Sequence, residues 1–237
     1  MSRSDRRPSR PEQPFYSERT WILSAAFLAG TMLLAGVVWL GRSGDEPAVA
    51  PQAGADNVQP VPECPPGPTV ESGRATQPDD LTWRTVGVGY RIPVSPSQGP
   101  TQVTGELMRC FSRTPIGAVL AANIIPLTVT GPEWQAVADQ QVLAGRSRDI
   151  MTTRRERYPS ETTRRGGGTY AGFAVDRYSP DAAVVHLLIR GGTGYAVSQV
   201  ELRWDGGDWK LVLTKIGYTH ESLGSVTGSA GFTLWRE

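Results

Sequence analysis

An uncharged run of twenty residues, residues 21–40, is the feature that most constrains this chain of 237 residues. A helix rises about 1.5 Å per residue, so this run would span roughly 30 Å, the thickness of the hydrocarbon core of a bilayer. Trp21 and Trp39 lie near its two ends, where aromatic rings favour the headgroup region. We therefore predict a transmembrane helix that contacts the lipid bilayer over residues 21–40.

The distribution of arginine predicts the orientation of this helix. Only Arg42 follows the run closely, whereas five arginines precede it: Arg3, Arg6, Arg7, Arg10 and Arg19. Basic residues accumulate on the cytoplasmic side of a membrane, which predicts a single-pass plasma-membrane protein with residues 41–237 outside the cytoplasm. A cleaved signal peptide is the alternative, because residues 48–50 resemble a cleavage site. The apolar run is longer than the roughly 7–15 residues usual for such a peptide, which favours a retained anchor.

Composition divides the chain into four regions. Residues 1–20 form a polar tail that we predict to be disordered in the cytoplasm, and residues 41–80 form a linker rich in Pro, Ala and Gly. Residues 81–237 are long enough for one extracytoplasmic domain with a core of its own. A net charge of +1 gives no overall field that would attract nucleic acid, so no nucleic-acid partner is expected.

The pattern within this domain predicts helices followed by strands. An apolar segment after Thr114 and Pro115 predicts a buried helix over 116–125, and a polar, arginine-rich helix is predicted over 146–158. Strands are predicted over residues 85–92, 102–111, 171–178, 183–190, 195–204 and 209–215. This order predicts an α+β domain with helices packed on one face of a curved antiparallel sheet.

The two cysteines, Cys64 and Cys110, are predicted to form a disulfide. Outside the cytoplasm an even number of cysteines is typical of a disulfide framework, although two separate free thiols are the alternative. In the chain-entropy model, such a bridge would stabilise the fold by roughly 4 kcal/mol at most. It would also fasten the linker to the folded domain.

Several segments carry a resemblance to known families. The AVVHLLI strand and the VELRWDGGDWKLVL hairpin resemble the cone fold of the nuclear-transport-factor-two-like proteins. With IPVSPSQGP and CFSRTPIGAVLAANI, the hairpin also resembles an actinobacterial family of single-span membrane proteins associated with mobile or conjugative elements. The resemblance covers about residues 81–216 and implies a cone-shaped domain. Tail, span, linker and cone together are similar to the bitopic scaffold subunits of type IV secretion machines.

The sequence contains no pattern typical of a catalytic or metal site. The chain has two histidines, and its glycine-rich turn at 191–194 joins two strands, unlike a phosphate-binding loop that opens a helix. Some cone-fold proteins are small enzymes, and four residues could in principle converge in such a pocket: Asp139, Asp176, Tyr178 and His186. Their spacing does not require it. We therefore expect no cofactor, metal or catalytic residue, with a surface-anchored ligand-binding cone or small enzyme as the alternative.

An excess of arginine at residues 146–165 is the one charged feature that stands out. This segment contains seven arginines but only three acidic residues, Asp149, Glu156 and Glu161. A solvated helix face followed by a loop would explain this excess, and a docking surface for an acidic partner or lipid headgroups is the functional interpretation. The predicted docking residues are Arg154, Arg155, Arg157, Arg164 and Arg165.

These features together predict a non-catalytic interaction or scaffold module. Its partners would be proteins of a cell-envelope assembly, such as a conjugation or secretion system, and the architecture is compatible with a homo-oligomer. A scaffold is expected to have its interior filled by side chains such as Leu120 and Ile124, whereas a ligand-binding protein is expected to keep an open, polar cavity.

Overall fold

A computed structural model of the chain describes residues 63–87, 89–159, 169–192 and 194–236. The predicted tail and membrane span, residues 1–40, lie outside the described residues, as do the first part of the linker, Arg164 and Arg165. None of the helices in the described part of the chain combines the length and apolar character needed to cross a membrane.

The described residues contain ten strands and three helices. The strands are β1 (Thr82–Val86), β2 (Tyr90–Val94), β3 (Gln102–Thr104), β4 (Leu107–Arg109), β5 (Thr169–Ser179), β6 (Ala182–Arg190), β7 (Tyr195–Asp205), β8 (Asp208–Val212), β9 (Glu221–Val226) and β10 (Thr233–Leu234). The helices are α1 (Pro115–Thr128), α2 (Trp134–Gln141) and α3 (Arg146–Arg157). Strand residues far outnumber helical ones.

The predicted α+β cone is therefore wrong. The described residues form mostly flat antiparallel sheets, and the predicted layer of helices over a curved sheet is not what they build. Only α1 is both long and apolar, and it alone of the three helices contacts most strands of the large sheet. The other two helices are short or polar, so they cannot bury enough apolar surface to form a second layer of the domain.

Two segments predicted as single strands are hairpins, which adds strands that the sequence pattern missed. In the segment 85–92, Val86 pairs with Tyr90 across a turn that contains glycines with positive φ. The segment 102–111 turns back at Gly105, whose φ is +59°. Glycine adopts this backbone conformation without steric cost, so these glycines are turn residues and not the exposed positions of one alternating strand.

The largest sheet has six strands in the order β10-β5-β6-β7-β8, and β9 pairs with β7 alongside β8. All of its neighbouring strands are antiparallel. The predicted meander is thus present as β5 to β8, with Trp204 opposite Trp209 across the hairpin of residues 205–208. Strands β9 and β10 lie at opposite edges, so residues 227–232 connect one edge of the sheet to the other.

Helix α1 forms the centre of the core. The hydroxyl oxygen of Thr114 accepts a hydrogen bond from Gly117 N at 3.0 Å and thereby caps the start of the helix. Leu120 and Ile124 are fully buried in one cluster with side chains of the large sheet. The helix continues past its predicted end at Pro126 to Thr128.

Candidate functional site

The four residues considered for a catalytic pocket do not converge. Asp139 and Asp176 are exposed on different elements. Tyr178 of β5 lies opposite Ala183 of β6, so these two side chains share one face of the sheet. His186 is three positions after Ala183 on β6, so the His186 side chain points to the other face. Within the described residues, no cluster of His, Cys, Asp and Glu could hold a metal ion.

A buried network surrounds the disulfide. Cys64 and Cys110 are bonded, with their Cα atoms 5.2 Å apart. The backbone N–H groups of Cys110 and Phe111 donate hydrogen bonds to the Asp208 carboxylate at 2.8 and 3.0 Å, and Trp209 N donates to the same group at 2.9 Å. We call this network, residues 110–113 with Asp208 and Trp209, the Cys110 junction.

The Cys110 junction also holds the segment that precedes β1. Val70 N donates to Arg113 O at 3.0 Å, and Arg113 N donates to Pro68 O at 3.2 Å. The Tyr178 hydroxyl lies 2.9 Å from the carbonyl oxygens of both Val70 and Arg113. The end of the predicted linker is therefore fastened to the domain by backbone hydrogen bonds as well as by the disulfide.

The buried Asp208 carboxylate serves as an acceptor for backbone N–H groups. Asp208 is only 3% exposed, and this burial raises the pKa of its carboxyl group, while the three N–H donors oppose the rise. Cys110 has φ of +67°, a conformation that non-glycine residues rarely adopt and that the surrounding bonds must hold. The role of Asp208 was missed in the sequence because Asp205 and Asp208 look equivalent in a DGGD turn.

The arginine cluster lies partly on the last turn of α3. Arg154 donates hydrogen bonds to the carbonyl oxygens of Ile216 and Gly217, at 3.0 and 2.6 Å. Its guanidinium carbon lies 4.5 Å from the centre of the Tyr218 ring, a cation–π distance. Arg154 therefore fixes the loop between β8 and β9 and also stacks on its tyrosine.

Arg155 holds a second loop, the one that follows α1, in the same way. It donates to the carbonyl oxygens of Thr130 and Gly131, both at 2.8 Å, and lies 5.3 Å from the centre of a ring of Trp134. Burial lowers the pKa of Arg155, and the negative charge of Glu106 acts in the opposite direction. An arginine remains a cation at neutral pH under such shifts.

The five predicted docking residues are therefore not equivalent. Arg154 and Arg155 are half-buried and bonded to backbone carbonyls. Arg157 is exposed and forms no hydrogen bond or ion pair with the described residues. Arg164 and Arg165 lie outside those residues.

A cleft of about 120 Å³ lies where Arg154 and Arg155 meet the β8–β9 loop. Its lining residues are Val129, Thr130, Met151, Arg154, Arg155, Tyr158, Gly217, Tyr218 and Thr219. We call it the tyrosine cleft. Large apolar side chains lie exposed at or beside it, with Tyr158 49%, Ile216 61% and Tyr218 54% exposed.

Gly217 lets the loop approach α3 closely enough to form the tyrosine cleft. Its φ is +76°, and a Cβ atom there would lie 2.9 Å from Ser147 O and 3.0 Å from Met151 N. Only glycine meets both demands without a shift of backbone. Gly217 is the one sequence signal that could have pointed to the cleft.

Comparison with known proteins gives a family for the chain. Neither the search of curated proteins nor the search of solved structures found a match. A family profile matches residues 44–234, which is most of the chain. The chain therefore belongs to the family described as a domain of unknown function, DUF8175.

Proposed function

We propose that this chain is a single-pass plasma-membrane protein whose extracytoplasmic domain is a non-catalytic interaction or scaffold module of a cell-envelope assembly. The uncharged run of residues 21–40 and the five arginines before it support the anchor and its orientation. The resemblance to actinobacterial proteins of conjugative elements supports conjugation or a type IV-like secretion process. Protein partners, including further copies of the chain, fit this role.

The observation that carries the docking function is the tyrosine cleft. Tyr158 and Tyr218 line a cleft that contains two fixed arginines and are exposed, and the exposed Ile216 directly precedes the lining residue Gly217. Tyrosine and arginine dominate the binding energy of protein interfaces, because each supplies a large contact area with a polar end. Their positions are preorganised here, since Arg154 stacks on Tyr218 and bonds the backbone beside it.

The dimensions of the cleft favour docking over binding of a metabolite. Pockets for small ligands usually measure about 300–1,000 Å³, well above the 120 Å³ of the tyrosine cleft. Leu120 and Ile124 are fully buried in the core cluster, as expected for a scaffold. Binding of a metabolite in the tyrosine cleft is therefore the weaker candidate for the function of this cleft.

Native gel electrophoresis of mildly solubilised membranes tests the docking function. We expect the wild-type protein to migrate in a complex and the double variant Ile216→Ser, Tyr218→Ser to migrate as the free protein. Val70→Ser is the matched control, because it also replaces an exposed apolar residue, one that is 39% exposed. Val70 is bonded to Arg113, just before the first residue of α1, whereas the cleft lies next to the last residues of α1. A helix of 14 residues separates the two by about 21 Å. Identical migration of all three proteins would contradict the proposal.

Reporter fusions test the topology independently. We expect a phosphatase fused after residue 237 to be active, and a cytoplasmic fluorescent reporter at the same position to remain dark. The opposite pattern would contradict the proposed orientation. A mature chain that begins near Pro51 would show that residues 21–40 are a signal peptide.

A further inference from the structure

The rim of the tyrosine cleft is positively charged. Arg154 and Arg155 line the cleft, Arg157 follows them in the last turn of α3, and the exposed Lys215 lies two residues before the lining segment of the β8–β9 loop. Glu156 lies in the same helical turn, and Glu106 is close enough to raise the pKa of Arg155, so four basic residues outnumber these two acidic ones. A partner that presents carboxylates to this rim would gain attraction over a distance of roughly one Debye length, about 8 Å at physiological salt.

The floor of the cleft is apolar. Val129 and Met151 lie among its lining residues and are almost completely buried. A cavity of about 150 Å³ lined by apolar side chains can hold a benzene molecule, so a cleft of 120 Å³ is suited to one aliphatic or aromatic side chain. The site thus combines an apolar anchor point with a cationic rim.

Arg155 retains hydrogen-bonding capacity toward a partner. Both of its hydrogen bonds to described residues come from Nη2, and a guanidinium has five N–H donors. The two carbonyl acceptors hold the group in place, which lowers the entropy cost of binding a carboxylate. Arginine binds carboxylates through two parallel hydrogen bonds where the geometry allows it.

We propose that the occupant of the tyrosine cleft is an acidic segment of a protein partner, an inference that rests on the docking function proposed above. One leucine- or phenylalanine-like side chain of this segment enters the cleft, and carboxylates on either side meet Arg155, Arg157 and Lys215. A protein segment fits better than a lipid surface. Lipid headgroups are bound by mobile basic side chains over a broad apolar face, whereas Arg154 and Arg155 are held by carbonyls around a cleft for one side chain.

Selection from a random peptide display library on the full-length protein tests this inference. We expect the enriched peptides to share one large apolar residue flanked by Asp or Glu. A fluorescent copy of the most enriched peptide should bind about thirtyfold more weakly to the Tyr218→Ser variant, the lower limit for one interface hot spot. It should also bind more weakly to Arg157→Gln and at raised salt, while Val70→Ser should bind it like the wild type.

The other outcomes separate this inference from the proposed function. Enriched peptides without acidic residues whose binding still requires Tyr218 would overturn the acidic partner and leave the docking function intact. Peptides insensitive to Tyr218→Ser would overturn the acidic partner, and the docking function would then depend on the native gel alone. Displacement of the peptide by vesicles of phosphatidylglycerol would identify lipid as the occupant and overturn the inference.

Discussion

The Cys110 junction and the tyrosine cleft use the same kind of bond in opposite surroundings. At both places, charged side chains bond to backbone groups of a segment far away in the sequence. At the junction, Asp208 and Trp209 are buried, and both nitrogens of Trp209 donate to buried acceptors. At the cleft, the arginines are half-buried, and Tyr218 remains more than half exposed.

This difference separates a structural role from a docking role. A fully buried network stabilises the fold but offers no surface to a partner. A network that is bonded at one side and exposed at the other holds its outer groups in place, and rigid groups lose less entropy when they bind. Substitutions at the junction should therefore lower stability, and substitutions on the rim of the cleft should lower binding.

The Asp208→Ala variant should show the largest effect on stability. It leaves three buried backbone N–H groups without an acceptor, so we expect a loss of about 3–5 kcal/mol in the free energy of unfolding. Urea unfolding measures this loss. Asp205→Ala, in the same turn, removes only an exposed ion pair with Lys210 and should cost less than about 1 kcal/mol. Equal effects of the two variants would refute the distinction.

Loss of the disulfide should have the next largest effect. Cys64 and Cys110 are 46 residues apart, and the chain-entropy model gives at most about 4 kcal/mol for such a loop. We expect Cys64→Ser to lower the melting temperature and to abolish its dependence on reductant. The remaining bonds of Arg113 to Pro68 and Val70 should keep the variant folded. Melting at the same temperature with and without reductant in the wild type would show that the bridge contributes nothing.

The arginines of α3 should have intermediate effects. Arg155→Ala removes two hydrogen bonds to loop carbonyls and should cost about 1–2 kcal/mol in thermal or chemical unfolding. Arg157→Ala removes no described contact and should stay within about 0.5 kcal/mol. A loss for Arg157 as large as that for Arg155 would mean that exposure does not separate the two roles.

Ile216→Ser should have the smallest effect on stability. Its side chain is 61% exposed, so its removal should change the free energy of unfolding by less than about 0.5 kcal/mol. The same variant should still disrupt the complex on native gels when combined with Tyr218→Ser. A marked loss of stability would mean that Ile216 belongs to the core and not to a docking surface.

Local patterns predicted those parts of the fold that depend on neighbouring residues. Thr114, Pro115 and an all-round apolar segment predicted α1, and the four strands β5 to β8 follow the predicted ranges closely. The glycines at 87 and 105 were misread, because a glycine between apolar residues fits both an alternating strand and a turn. This ambiguity hid two hairpins. The wrong cone fold came instead from the order of helices before strands and from the resemblance of the AVVHLLI strand and the VELRWDGGDWKLVL hairpin.

The candidate site was predicted only in part, because its decisive contacts are remote in sequence. The arginine excess pointed to residues 154–157, but it could not show that Arg154 would bond to Ile216 and Gly217 more than sixty positions away. The exposure of Tyr218 likewise depends on where the β8–β9 loop packs. Charge patterns indicate that a segment is polar, whereas the backbone acceptors that fix it are known only from the fold.

Site-specific photocrosslinking in intact cells tests the docking role of the tyrosine cleft most directly. A photoreactive phenylalanine at position 216 should give a discrete crosslinked adduct of the protein, and the same group at position 70 should give none. The Tyr218→Ser substitution should abolish the adduct from position 216 without lowering the amount of protein. Equal adducts from both positions, or an adduct from position 70 alone, would contradict the account.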